Sequence, residues 1–359
     1  MSPSPTSPMT LKSLVLRNFR SYASSKFSLN EGIVSIVGKN ATGKTNLIEA
    51  IYLLGRGKSF RAEKDTQMIQ LGKEVGRVQG EVYDTKLEVV LVDPSLQNLG
   101  KRSKKFLVNG VSKRGVDFVG NLAVVLFAPT DLEIMSGSPG TRRRFLDETL
   151  QQVDREYRLA LMEYTKALKQ RNALLERVQE TGVRNAKLFE YWDDLLIKQG
   201  EIIAAKREAF CAFLNNSEKS VFDFAVTYDK SVISRKRLEE YKSAEEGAGV
   251  TLVGPHRDDI ILRMFNRGTG VACELRFFGS RGQQRLSVLQ LKLLELLYVE
   301  KALHDAPVLL LDDIFSELDA SHIKLVLETL PHKQIILTTT HKEFLKGPMI
   351  KNAQVIEIS

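Results

Sequence analysis

The rhythm of apolar and polar positions changes several times along the chain, and each change predicts an element. Leu14, Leu16 and Phe19 alternate as a half-buried strand does. Residues 33–37 form a short apolar run, and Leu47, Ile48, Ile51 and Leu54 recur on one helix face. The order is strand, glycine-bearing loop, helix. From 75 to 125 the pattern is β-rich, with segments 77–83 and 87–92 alternating or running apolar. Phe106 to Val108, then Asn109-Gly110, then Val111 predict a hairpin, because Asn-Gly tolerates positive φ at both turn positions.

From 141 to 181 neither Gly nor Pro occurs. Apolar residues such as Phe145, Leu150, Tyr157, Leu161, Leu168 and Leu175 return at helical spacing. Gly182 breaks the run, and a second helical stretch covers roughly 185–213. Two long helices across a short break predict an antiparallel arm. The acidic, then glycine-bearing segment 239–249 marks the expected return to the first domain. Beyond it, 284–302 reads as a helix. Segments 308–311 and 335–339 read as buried parallel strands, since both are nearly continuous apolar or β-branched runs. The expected architecture is therefore α/β: a discontinuous head of residues 1–130 plus 247–359 with a β-rich subdomain, and an inserted helical arm of residues 131–246.

Composition narrows the class. Hydrophobic residues make up 43% and charged residues 27%, as in soluble globular chains. No apolar stretch is long enough for a membrane helix, so no membrane partner is expected. The Pro- and Ser-rich start carries no signal-peptide core. Cys211 and Cys273 are far apart and read as reduced thiols of a cytoplasmic protein. A formal net charge of +8 favours a polyanionic partner, and the placement of the charge must decide which.

Gly38-Lys39-Asn40-Ala41-Thr42-Gly43-Lys44-Thr45 fits G-x-x-x-x-G-K-[ST] at every fixed position, between the predicted strand and helix. Glycines let backbone N–H groups wrap phosphates, and the helix N-terminus adds positive potential. Lys44 is expected to reach the β- and γ-phosphates of ATP and Thr45 to ligate Mg²⁺, with Asn46 completing the nucleotide contacts. The run 308–311 ends in Asp312 and Asp313. A buried strand delivers such acids to the sheet edge beside a phosphate loop. Asp312 is the expected metal carboxylate, and Asp313 the group that orients the attacking water.

Further segments resemble those of ABC ATPases, in the expected order. Ser280-Arg281-Gly282-Gln283-Gln284 is similar to the ABC signature, departing from it at Arg281. Ser316-Glu317-Leu318-Asp319 is similar to the D-loop, and Thr338-Thr339-Thr340-His341 to the switch-histidine segment. Asp313 stands where many relatives carry Glu, which implies slow turnover. The Q-loop glutamine stays open among Gln67, Gln70 and Gln79. The resemblance implies a head-to-tail ATP dimer, in which Ser280, Gly282, Gln283 and Asp319 complete a partner's nucleotide site and His341 assists catalysis.

Three other blocks resemble the RecF family: Leu16 to Tyr22; Pro129 to Leu132 with Arg142 to Asp147; and Gly254-Pro255-His256-Arg257-Asp258-Asp259. The resemblance runs from about Leu11 onward. It implies a DNA-repair ATPase acting at duplex or gapped DNA with RecR and RecO to load RecA.

Lys101, Arg102, Lys104, Lys105, Lys113 and Arg114 flank the Asn109-Gly110 turn with no acid among them. Such a hairpin could neutralise DNA phosphates, or be a solvated edge protected by lysines. Arg142 to Arg144 could pair with acids in the arm or at a dimer interface. Two other functional classes remain: a transporter nucleotide-binding subunit, which membrane co-purification would reveal, and a scaffold with structural nucleotide, whose ATPase would ignore DNA.

Overall fold

The computed structural model describes residues 9–93, 95, 104–265, 271–313, 333–340 and 353–358. The chain divides into two compact units, 1–131 with 291–359, and 132–290.

The first unit opens with β1 (Leu11–Phe19), β2 (Tyr22–Ser28), β3 (Ile33–Val37) and α1 (Lys44–Arg56), followed by β4 (Val75–Val82), β5 (Thr85–Val92), β6 (Lys104–Val108), β7 (Val111–Lys113), α2 (Gly115–Phe118) and β8 (Val124–Phe127). The second unit holds α3 (Glu133–Ser136), α4 (Pro139–Val153), α5 (Arg155–Thr181), α6 (Ala186–Asn216), β9 (Ala225–Asp229), α7 (Arg235–Glu240), α8 (Lys242–Ala248), β10 (Asp259–Phe265), β11 (Ala272–Glu274) and α9 (Leu275–Phe278). Helix α10 (Arg281–Leu303) starts in the second unit and ends in the first, which closes with β12 (Val308–Leu311), β13 (Ile335–Thr339) and β14 (Gln354–Glu357).

Two sheets build the first unit. One runs β2-β1-β4-β5-β6-β7 and is antiparallel; the other, β14-β3-β13-β12-β8, is parallel. The parallel strands are buried, which is why 308–311 and 335–339 carry no polar alternation. Helix α1 packs against both sheets, with Ile48, Leu53 and Leu54 fully buried. Gln334 ties the unit together: its amide accepts from Leu11 N (2.8 Å) and donates to the carbonyls of Leu11 (3.0 Å) and Asn30 (2.9 Å).

In the second unit α5 and α6 pack as the helical pair expected. Gly182 ends α5 with φ +69°, a conformation that glycine adopts without strain. The second domain boundary differs from expectation. Residues 247–290 group with the arm, because β9, β10 and β11 form a sheet of their own that packs on α4 and α6. The segment 239–249 holds the end of α7 and the whole of α8 rather than a linker, and Gly249 (φ +69°) closes α8. Among the described residues no helix is long and apolar enough to cross a membrane. Cys211 and Cys273 are free thiols.

Candidate nucleotide site

The loop between β3 and α1 carries Gly38 to Gly43, and α1 begins at Lys44. Ala41 (φ +66°) and Gly43 (φ +100°) both adopt left-handed backbone, which helps curl the loop into an anion-binding concavity. Space around the glycines is tight. A Cβ on Gly38 would lie 2.4 Å from the Ile358 carbonyl, and one on Gly43 would lie 2.8 Å from Ser21 Oγ. The Lys44 ammonium donates to the carbonyls of Gly38 (2.8 Å) and Lys39 (2.7 Å), and Thr42 Oγ1 donates to Lys39 O (3.0 Å).

Strand β12 delivers Asp312 beside this loop. Thr45 Oγ1 donates to Asp312 Oδ1 at 3.1 Å, and Thr338 Oγ1, at the end of β13, donates to the same oxygen at 2.9 Å. The Thr338 hydroxyl also accepts from Asp313 N at 2.9 Å. One hydroxyl therefore fixes both acids. Burial lifts the Asp312 carboxyl above the usual carboxylate range; the two threonine hydroxyls oppose this, and Asp313 adds to it. A buried carboxylate whose charge is unwelcome, with hydroxyl donors alone around it, suits a hard cation. Among the described residues no group of three or more His, Cys, Asp or Glu could hold a metal. Thr45 and Asp312 fit Mg²⁺ nonetheless, because that ion takes few protein ligands and fills its shell with phosphate oxygens and water. Asp313 has φ +51°, a left-handed conformation that Asp tolerates better than most residues, and it turns the chain sharply after β12.

The cleft holds ≈ 290 Å³ and is lined by Asn40, Ala41, Gly43, Lys44, Thr45, Asn46, Arg61, Asp312, Asp313, Thr338 and Thr340. Arg61 was not foreseen from the sequence. It is held by Asn46 Oδ1 and by Glu49 Oε2 (2.8 Å), and Glu49 also accepts two bonds from Arg20 (2.8 and 2.6 Å) and one from Ser59 (2.6 Å). Burial raises the Glu49 carboxyl, but the bonds from Arg20, Arg61 and Ser59 outweigh it and hold the group below its usual range. A mid-helix Glu reads as solvated in sequence; here it is fully buried and anchors two guanidiniums.

The other expected site residues are placed as follows. Ser280, Gly282 and Gln283 lie at the start of α10, in the second unit. Ser280 Oγ accepts from Gln283 N (3.2 Å), and the Gln283 amide accepts from Ser280 N (2.8 Å), a reciprocal helix cap. Gln67 turns its side-chain oxygen onto the backbone of Glu63 and Lys64, and none of Gln67, Gln70 and Gln79 lines the cleft. Asp319, His341, Lys101 and Arg102 lie outside the described residues.

The hairpin cations do not share one face. Lys104 pairs with Asp65 (2.7 Å) and Arg114 with Asp117 (2.7 Å). Lys113 lies opposite Phe106, whose ring packs on Phe118 at 4.8 Å, so it takes the inner side. Lys105 lies opposite Val90, and through it Arg77 and Arg17, on the outer side. Arg17, Arg77 and Lys105 are exposed and form one cross-strand row that spans about 14 Å at ordinary strand spacing. Arg17 directly opposes Arg77, and the ion pair of Arg77 with Glu88 (2.9 Å) relieves the like-charge contact.

The Gly254 to Asp259 block is structural. Arg207, 2% exposed, donates to Pro255 O (2.7 Å), Asp258 Oδ2 (2.8 Å), Asp147 Oδ1 (2.7 Å) and Tyr157 Oη (3.1 Å). Arg142 grips Asp259 with two bonds (2.6 and 2.8 Å), and Arg143 donates to Asp258 O (2.7 Å). His256 Nε2 donates to Thr251 O (3.0 Å), so its Nδ1 accepts from Tyr164 Oη (2.7 Å). Burial pushes His256 down to about 4; the Thr251 carbonyl opposes this, while Arg257, Arg143 and Arg171 reinforce it.

A parallel sheet whose β3 opens into a phosphate loop, and whose β12 presents paired acids to it, defines an ABC-type P-loop ATPase. The profile of the RecF/RecN/SMC N-terminal domain matches residues 10–357. The chain belongs to that family, within its RecF branch. The DNA replication and repair protein RecF of Moorella thermoacetica is 36% identical over 365 residues, covering 98% of this chain and 95% of that protein. A solved structure of the recombination mediator protein RecF-ATPrS in the RecFOR pathway gives a TM-score of 0.86 at 31% identity, covering 98% of this chain and 97% of the other. The Smc head domain of Pyrococcus furiosus, bound to the C-terminal domain of ScpA, gives 0.51 at 15% identity over 94% and 91% of the two chains. At that identity the likeness speaks for the fold alone.

Proposed function

We propose that this ATPase is a nucleotide-switched DNA-binding protein of recombinational repair. It dimerises on ATP, binds duplex or gapped DNA, and is reset by slow hydrolysis. The observation that carries the reading is the separation of functions between the two units. The phosphate cleft of Lys44, Thr45 and Asp312 belongs to the first, and the Ser280 segment that resembles the signature belongs to the second. A second copy supplies the Ser280 end of α10 to the γ-phosphate, so ATP acts as interface glue.

In the ATP-bound protein Lys44 leaves its loop carbonyls for the β- and γ-phosphate oxygens. Thr45 and Asp312 would hold Mg²⁺, which would neutralise phosphate charge. Arg61, oriented by Glu49, places a second cation at the cleft. Asp313, fixed through Thr338, orients the attacking water. The D-loop aspartate Asp319 and His341 complete the family's constellation. The basic balance and the outer row of Arg17, Arg77 and Lys105 support phosphate contacts without sequence reading. The relatives named for DNA replication and repair and for the RecFOR pathway support a role with RecO and RecR; help in loading RecA, in the cytoplasm, is part of the same proposal.

The test is molar mass by light scattering for Asp313→Asn with ATP, with ADP and without nucleotide. A dimer with ATP alone is expected. Equal mass in all three states, well above nucleotide affinity, refutes the switch.

A further inference from the structure

Phe277 and Phe278 are adjacent, 68% and 69% exposed, and are separated from Ser280 by Gly279 alone. Large apolar side chains exposed side by side signal a binding surface rather than chance. Their surroundings say of what kind. The Arg276 guanidinium lies 5.3 Å from the Phe277 ring centroid, and Arg281 is exposed on the first turn of α10. Between Glu274 and Lys292 the sequence contains Arg276, Arg281 and Arg285 and no acid; Lys292 itself is buried against Glu295. Aromatic faces interleaved with arginines match a base with its phosphates, not an apolar peptide. The cleft of the first unit has the complementary gap. Among the described residues that line it none is aromatic, so it grips phosphates and presents a purine with no ring to stack on.

We infer that Phe277 and Phe278, with Arg276 and Arg281, form the platform on which one copy of the chain receives the purine base of the ATP held by a second copy. This rests on the ATP-sandwich reading above. It adds to it that the dimer senses the base as well as the γ-phosphate, so that a nucleoside triphosphate and not a bare polyphosphate closes the switch. The chemistry shared with single-stranded nucleic acid makes that polymer the competing occupant. The triphosphate is favoured because the aromatic pair abuts the α10 N-terminus.

The experiment measures dimer dissociation constants by sedimentation, in the full chain carrying Asp313→Asn, with ATP or with inorganic tripolyphosphate. The parent should dimerise more tightly with ATP by about tenfold per stacked base, and by on the order of a hundredfold for a symmetric dimer with two. Phe277→Ala/Phe278→Ala should lose that preference, while the dilute monomer keeps its ATP affinity. Phe277→Leu/Phe278→Leu keeps the apolar area but not the ring faces, and should lose the preference as well. Both sites are exposed, so folding is spared. Undiminished ATP preference in the alanine variant overturns the inference, and its rescue by leucine shows an apolar protein contact instead. It is equally overturned if the alanine variant loses only binding of a single-stranded oligonucleotide, read by anisotropy without ATP. A parent that fails to dimerise with ATP refutes the sandwich itself, before any variant is compared.

Discussion

Arg207→Met probes the polar knot of the second unit. The guanidinium is the donor shared by Asp147, Asp258, Tyr157 and the Pro255 carbonyl. Asp258 has no exposed side chain, whereas Asp147 is 22% exposed and can rehydrate. Removing one partner of a buried pair strands the other, which costs about 3–5 kcal/mol. Asp258 would keep only Tyr228 and Ser231 N as donors. We expect a loss of about 4 kcal/mol, a fall of roughly 2 M in the urea midpoint. Trp192, in α6, is the only tryptophan, so its fluorescence reports this unit directly. Arg207→Lys should recover little, because one ammonium cannot serve acceptors at three guanidinium nitrogens. Adding Asp258→Asn to Arg207→Met should relieve about 2 kcal/mol relative to the sum of the single effects. A stability within about 1 kcal/mol of the parent, or strict additivity, would refute the claim that Asp258 is held by Arg207 as a buried anion.

The remaining expectations concern charge at other places. His256 stays neutral in the fold down to about 4 but takes a proton near 6.5 when unfolded. Stability should therefore fall by up to about 3 kcal/mol as pH drops from 6.5 to 4. His256→Gln, neutral throughout and able to bond Tyr164 and Thr251, should lack this fall, so that the parent-minus-variant stability read by urea titration drops by up to about 3 kcal/mol between pH 6.5 and 4. Lys44→Met should abolish ATP binding by calorimetry and leave the Trp192 urea transition unmoved. Arg17→Glu or Lys105→Glu should weaken DNA binding alike for all sequences and lower the salt slope by about one each. Lys113→Glu, on the inner side, should leave that slope unchanged, and an equal effect at Lys113 would sink the outer-face assignment.

Legibility in the sequence followed the distance over which the physics acts. The phosphate loop was plain because its parts are consecutive and flanked by a run 33–37 and a helical face, both of which form. The Thr338 clamp on Asp312 and Asp313 was not, since it needs the register of β12 on β13, which no local pattern encodes. Glu49 looked like a polar interruption in α1 because its partners Arg20 and Arg61 lie on two other segments. The Gly254 to Asp259 block was visible as a motif, yet Arg207 of α6 joins it to Asp147 of α4 and Tyr157 of α5 while Tyr228 of β9 donates to Asp258, so its purpose appears only in three dimensions. The misplaced second boundary came from reading acids and glycines as a linker, when the same residues cap and cover short helices. The hairpin charges were counted correctly, but the pleat, which sends Lys105 and Lys113 to opposite sides, was overlooked.

The order of strands in the parallel sheet bears on when the protein becomes competent. β3 carries the phosphate loop and is flanked by β13 on one side and β14 on the other. Both neighbours are translated after everything else described, and Ile358 N bonds back to the carbonyl of Val37 at the mouth of the loop. A nascent chain therefore has the loop's sequence long before it has the strands that flank β3. A chain cut short before β13 would have every residue of the phosphate motif but neither strand that flanks β3, and is expected to hold nucleotide poorly.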